Sequence, residues 1–176
     1  MRRSVLPAIL LLLFSLATAL NANETEYISK VVSQLDSYVE WSPDKSFEGG
    51  DSKLVISAVG ETDLIAALKK LSHTESSTGR SIKVRVVDRN MIPSNSHILF
   101  LDIADPAAVA DITEKLRGTG TLVISHGAGM ASSGSSLNFA TEAGSSKPIM
   151  ELSVETAKAE GLSIKPAFLK LAKVVK

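Results

Sequence analysis

Few side chains in this sequence have both the type and the setting for chemistry. His126 opens the stretch His126-Gly127-Ala128-Gly129, directly behind the apolar run Thr121 to Ser125. Loops at the carboxyl ends of α/β strands are where ligands usually sit, and glycines there let a backbone approach an anion. The phosphate-cradling patterns are absent: there is no G-x-G-x-x-G, and no Lys-Ser or Lys-Thr pair follows these glycines. A glycine-rich turn or hairpin loop is the plainer reading of His126 to Ser136. Arg80 ends the polar segment His73 to Arg80 (HTESSTGR) and is the second candidate. With His126 it could contact an anionic or aromatic metabolite. Trp41, followed by Pro43 and Phe47, is the third. It is either an exposed contact for a partner or an aromatic anchor under the loop after the first helix. Packing is favoured, because the chain has one Trp and few other aromatics to fill its interior.

Catalytic and metal patterns are weaker still. His73, His97 and His126 form no H-x-x-x-H or H-E-x-x-H pair, and there is no G-x-S-x-G elbow. His97 heads an apolar strand and reads as a structural group. Asp102 and Asp105 flank the end of that strand, a place where carboxylates can hold Mg²⁺. Asp105 before Pro106 reads better as a helix N-cap. The chain has no Cys, which excludes disulfides, thiolate zinc sites, iron–sulfur clusters and a cysteine nucleophile. No catalytic residue, no metal ligand and no cofactor is assigned, and an enzyme is not expected.

The elements that must position these residues follow from periodicity. Glu24 to Tyr38 is predicted to be a helix, with Tyr27, Ile28, Val31, Val32, Leu35 and Val39 at helical spacing and Asn23 as its N-cap. Lys53 to Val59, His97 to Ile103 and Thr121 to Ser125 are apolar, β-branched runs that read as buried strands. Ile82 to Val87 alternates, with Ile82, Val84 and Val86 expected inward. Helices are expected from Thr62 to about Leu71 and from Pro106 to about Leu116. Leu137 to Phe139 and Pro148 to Leu152 should pair antiparallel around a turn at Gly144-Ser145-Ser146, and Gly49-Gly50-Asp51 is a second turn. Ser153 starts a short helix to about Glu160, and Lys165 to Val175 reads as a last amphipathic helix. Two strand–helix–strand passages point to one α/β domain, a mixed β-sheet flanked by helices in an αβ sandwich.

The chain has 176 residues, 44% of them hydrophobic and 5% aromatic, with 19 basic against 19 acidic side chains. One domain is the simplest account of that length. The zero balance argues against nucleic acid as a partner, because a basic face is needed to neutralise phosphates. The start of the chain resolves the balance further. Met1-Arg2-Arg3, the apolar run Val5 to Leu16 and small residues at Ala17, Ala19 and Ala22 have the order of a secretory signal peptide. The run is shorter than the ~20 residues that span a bilayer. Residues 1–22 are therefore expected to be a signal peptide, cleaved after Ala19 or Ala22, with residues 23–176 as the exported domain. Removal takes away Arg2 and Arg3 and leaves 17 basic and 19 acidic residues, a net charge of −2. The expected location is the bacterial periplasm.

Several stretches in order resemble a known family. They are Tyr38-Val39-Glu40-Trp41, Leu54-Val55-Ile56 leading to Gly60, Gly79 to Arg85, His97 to Leu101, Leu122 to Ser125, Gly134 to Phe139, Ile149 to Ser153, Ala159 to Ile164 and Leu169 to Ala172. This series resembles the YfiR-like periplasmic family, also called DUF4154, over about Tyr27 to Val175. The resemblance implies a periplasmic α/β regulator without enzymatic activity. It implies an inner-membrane diguanylate cyclase or similar sensor as the partner, bound at its periplasmic region and repressed. An outer-membrane-anchored protein would relieve the repression, and the regulator would be a homodimer. Cyclic-di-GMP, biofilm formation and motility would then follow envelope state. Two positions depart from the family pattern. Ser96 stands where members commonly carry a cysteine, and Gly134-Ser135-Ser136 replaces a glycine pair.

Overall fold

The computed structural model describes residues 22–47, 53–142, 145 and 147–176. In chain order, helix α1 covers residues 22–32, followed by β1 (Val39–Glu40), β2 (Leu54–Val59), α2 (Asp63–Lys70), β3 (Ile82–Val86), β4 (Ile98–Leu101) and α3 (Pro106–Lys115). Then come β5 (Leu122–His126), β6 (Leu137–Ala140), β7 (Ile149–Ser153), α4 (Val154–Ala159), β8 (Ser163–Ile164), α5 (Pro166–Leu169) and β9 (Lys173–Val175). Seven strands form one sheet in the order β3-β2-β4-β5-β6-β7-β9, and β1 pairs with β8 in a small antiparallel ribbon. Strands β3, β2, β4, β5 and β6 are parallel, β7 runs antiparallel to β6, and β9 is parallel to β7. The expected mixed sheet flanked by helices is the fold observed.

The central strands show why. In β4 every residue is apolar and buried, and the period of two splits them between the faces. Ile98 and Phe100 join a core with α1, α2, α4 and α5, through Ile28, Val32, Leu68, Ala157 and Phe168. Leu99 and Leu101 join Val109 and Ile112 of α3, and Leu116 at its C-cap, on the other face. The chain leaves β2 through α2 to β3 on one side, and leaves β4 through α3 to β5 on the other. The direction of winding therefore reverses between β2 and β4. Crevices at the carboxyl ends of strands beside such a reversal are the usual ligand sites of open α/β sheets.

Several sequence expectations are corrected. The first helix ends at residue 32, not Tyr38; a 3-10 turn over Leu35–Ser37 follows, and Val39 is already in β1. Asn23 lies inside the helix, so it is not the N-cap. The last helix stops at Leu169, and residues 173–175 form a strand instead. Val174 and Val175 are β-branched, and the segment lies along β7, whose backbone would otherwise be an open edge. Val86 is 48% exposed rather than inward, because β3 is the edge of the sheet. His126 is the last residue of β5, not the first of a loop. A short 3-10 helix, Met130–Ser133, follows it where no helical pattern was visible. The two turns expected at 49–51 and 144–146 and the leader at residues 1–21 lie outside the described residues, apart from Ser145.

Candidate functional site

The three candidate binding residues do not form one site. Trp41 and Arg80 meet at the amino ends of the parallel strands, and His126 stands at the carboxyl ends.

At the amino end, His97 precedes β4 and its ring is the centre of an aromatic group. Phe47 stacks on it with centroids 4.6 Å apart, and Trp41 stands edge-on to both rings at 5.4 and 5.7 Å. Trp41 is buried, and its indole N–H donates to the His97 carbonyl at 3.0 Å. The Arg80 guanidinium lies over the other face of Phe47, 4.3 Å from the ring centre. Arg80 also pairs at 3.7 Å with Asp36, a fully buried carboxylate that accepts hydrogen bonds from Ser76, Ser77 and Thr78. That knot ties the end of the first helical segment to the loop before β3. His97 Nδ1 accepts from the Val55 N–H at 3.0 Å, so the neutral ring carries its proton on Nε2. Burial pushes His97 down to a pKa of about 4, and the nearby charges of Lys45 and Arg80 act the same way. His97 is a structural histidine held neutral.

A cleft of about 730 Å³ opens beside this group and is lined by Lys45, Lys53, His97, Thr119 and Glu160 among others. The Lys45 ammonium donates to the Ser96 carbonyl at 2.8 Å and to Thr121 Oγ1 at 2.6 Å. Burial lowers its pKa, with the Glu160 charge opposing. Burial raises Glu160, against backbone N–H donors from Gly118, Thr119 and Gly120 and the charge of Arg117. Of the four charged side chains that line the cleft, Asp44, Lys45, Lys53 and Glu160, Lys45 and Glu160 are each already hydrogen-bonded to protein.

At the carboxyl end the register of the sheet builds a different group. Leu101 pairs with Ser125, so the next residue of each strand, Asp102 and His126, stand side by side. His126 Nδ1 is 2.9 Å from Asp102 Oδ1, and Nε2 is 3.4 Å from Glu24 Oε1 on α1. Thr62 Oγ1 donates to the second Asp102 oxygen and also accepts from Ile65 N at 3.3 Å as the cap of α2. Thr141 Oγ1, just past β6, donates to Glu24 at 2.6 Å. Gly60 makes the close turn from β2 to α2 possible. Its φ is +133°, and a Cβ there would lie 2.9 Å from the Asp102 carbonyl oxygen. The hydrogen bond from Asp102 raises the His126 pKa; burial opposes it, and the charges of Asp102 and Glu24 add to it. Burial pushes Asp102 up, but the hydrogen bonds from His126 and Thr62 and the charge of His126 outweigh it, and its pKa is lowered.

An acid–base pair of this kind serves catalysis when the imidazole also holds a nucleophile's hydroxyl. Here the two hydroxyls of the cluster, Thr62 and Thr141, donate to the carboxylates. Among the described residues no group of three His, Asp or Glu side chains is arranged to hold a metal ion. The Gly/Ser loop after His126 is largely turned inward: Ser133, Ser135 and Ser136 are buried. Ser125 Oγ bonds Ser135 Oγ at 2.7 Å and Asn138 Oδ1 at 2.9 Å. Asp105 caps α3 through Ala107 N at 3.0 Å. The sequence reading did not find Glu24 or the pairing of Asp102 with His126. The shared ends of two apolar runs, HILFLD and TLVISH, were the available signal for the pairing.

No curated protein matches the chain. Among solved structures it is similar to the ABC domain in complex with L-Trp from Streptococcus pneumonia, at 12% identity and a TM-score of 0.47. The match covers 69% of this chain and 55% of that one, so this chain spans about half the length of the solved protein. The family model described as YfiR/HmsC-like matches residues 26–173, from α1 to the first residue of β9. On that match the chain belongs to the YfiR/HmsC-like family.

Proposed function

We propose that this chain is a periplasmic regulator without enzymatic activity. It binds the periplasmic region of an inner-membrane diguanylate cyclase, or of a similar membrane sensor, and represses it. The observation that carries the reading is family membership over residues 26–173. Residues 1–22 are the export signal, cleaved after Ala19 or Ala22, and the exported domain works as a homodimer. An outer-membrane-anchored protein releases the repression, which couples envelope state to cyclic-di-GMP. No helix among the described residues is long and apolar enough to cross a membrane. Deleting the gene raises cellular cyclic-di-GMP on this reading, and a tagged chain recovers a membrane protein with a GGDEF domain. Unchanged cyclic-di-GMP together with no membrane partner in the pull-down would sink it.

A second reading is a small-ligand binding module, favoured by the 730 Å³ cleft beside Lys45 and Glu160. The separation of Arg80 from His126 moves this reading away from the Gly/Ser loop and towards the amino ends of the strands. Calorimetry against nucleotides and amino acids tests it, with Lys45→Ala as the control. No heat from any member of the panel excludes it.

A further inference from the structure

His126 has a carboxylate on each ring nitrogen, and the three residues come from three different elements. Asp102 follows β4, His126 ends β5, and Glu24 lies in the first described turn of α1. Both carboxylates are held by a second donor, Thr62 for Asp102 and Thr141 for Glu24. The imidazole is thus the member of the group whose charge changes near neutral pH. A neutral imidazole has one N–H and one lone pair, whereas an imidazolium donates from both nitrogens. The shorter contact, 2.9 Å from Nδ1 to Asp102, keeps the single proton of the neutral ring on Nδ1. Nε2 then turns a lone pair towards the Glu24 oxygen 3.4 Å away.

We propose that His126 is a pH-gated latch. As imidazolium it ties the start of the first helix, through Glu24, to the carboxyl ends of the parallel strands, through Asp102. As neutral imidazole it keeps Asp102 and releases Glu24. Among the described residues, the charges that act on the ring are those of Asp102 and Glu24. The α2 cap and the segment after β6 contribute the neutral hydroxyls of Thr62 and Thr141. Asp102 and Glu24 both favour the charged ring, so release lies above the ordinary imidazole range.

The burial pattern says which part of α1 responds. Ile28 and Val32 are fully buried in the core and fix the body of the helix. Residues 22–26 are exposed or half-buried and place no side chain in that core. Such segments are the low-stability end of a structure and open locally without global unfolding. The latch is therefore a device for the first turn alone, and it does not depend on the reading of the chain as a cyclase repressor.

Amide hydrogen exchange on the exported, full-length domain tests it, with His126 followed by NMR in the same samples. The informative amides are those of Tyr27, Ile28 and Ser29, whose helical bonds run to the carbonyls of Asn23, Glu24 and Thr25. After correction for intrinsic exchange, their protection falls several-fold as pH rises through the His126 titration, while amides of α2 and β4 keep theirs. In Glu24→Ala, which removes the oxygen that both His126 and Thr141 contact, the same three amides are weakly protected at every pH, while Thr141→Val, which removes only the threonine contact, keeps the wild-type pH dependence. His126→Gln gives the same flat profile. Protection in the wild type that ignores the His126 titration overturns the proposal. So does a pH transition that survives in Glu24→Ala, or a His126 that does not titrate between pH 5 and 9.

Discussion

His97 and His126 sit at opposite ends of the same parallel strands, and their pKa values are shifted in opposite directions. His97 has an aromatic ring on its face, a backbone N–H on its Nδ1 and the cations Lys45 and Arg80 nearby. His126 has a carboxylate on each nitrogen. Burial alone would push both down. At His97 it wins, and the pKa falls to about 4; at His126 the hydrogen bond and charge of Asp102, with Glu24, overcome it. Burial therefore does not by itself say what a histidine is for. The neighbours on its two nitrogens decide whether it is a packing ring or a titrating one.

The sharpest way to break the comparison is to remove the amino-end anchor. Trp41→Ala takes away the edge contacts to Phe47 and His97 and the indole bond to the His97 carbonyl. Loss of about 3–5 kcal/mol is expected, read as a fall in the urea midpoint. Trp41→Phe keeps the edge contacts and drops the hydrogen bond, for about 1 kcal/mol. Equal losses from the two variants would show that the indole bond carries the anchor and that the aromatic packing does not.

A second change of similar size acts beside the same group. Ser57 Oγ and Ser96 Oγ are 2.7 Å apart, and both residues are fully buried. Ser96 is the position where the resemblance leads one to expect a cysteine. Ser57→Cys with Ser96→Cys should oxidise to a disulfide closing a 39-residue span. The chain-entropy account gives at most about 4 kcal/mol of stabilisation. Mass spectrometry of the blocked protein detects the bond, and a Tm that drops on reduction measures it. Two free thiols after oxidation would mean that the serine geometry does not carry over to sulfur.

The parts of the structure that were legible in the sequence are those fixed by local pattern. The runs in β2, β4 and β5, the Thr62 and Asp105 caps and Pro106 each state their element within a few residues. The C-terminal segment misled because Phe168, Leu169 and Leu171 fit a helical stripe, while the open edge of β7 decided the matter from outside the segment. The two sites divide in the same way. Asp102 and His126 were in principle readable from the matching ends of two strands, since parallel register places such ends together. Glu24 and Asp36 were not, because each meets its partner only after the chain has packed α1 across the sheet.

The pH dependence of stability separates the two ends directly. The unfolded chain protonates His97 near 6.5, while the folded chain holds it neutral to about 4. The unfolded state then binds more protons between those values, so stability is full above 6.5 and is lost as pH falls to about 4. With allowance for solvent screening at a half-buried ring, the loss is about 1–2 kcal/mol. His126 has the other sign: its contribution is present below 6.5 and is lost as pH rises through its raised value. Asp102, whose pKa is lowered from 3.8, adds a loss only below that value. Denaturant unfolding across pH 4 to 9 should show both limbs. His97→Phe should flatten the acid limb and His126→Gln the alkaline one, and an exchange of those effects would reverse the assignments.

The smallest expected effect tests whether the carboxyl end is one group or a set of neighbours. Thr62 and Asp105 cap successive helices by the same chemistry, through Ile65 N and Ala107 N. Each replaced by Ala should cost about 1 kcal/mol. Thr62 differs in that its hydroxyl proton goes to Asp102, while its lone pair takes the cap bond. A donor to a carboxylate favours its charged form, so Thr62→Ala should also raise the Asp102 pKa. Thr62→Ser should restore it, and Asp105→Ala should leave it alone. NMR titration of the Asp102 carboxyl reads this independently of stability. If Thr62→Ala costs its helix cap and leaves Asp102 unmoved, the threonine belongs to α2 alone. The carboxyl-end group then shrinks to His126 and its two carboxylates.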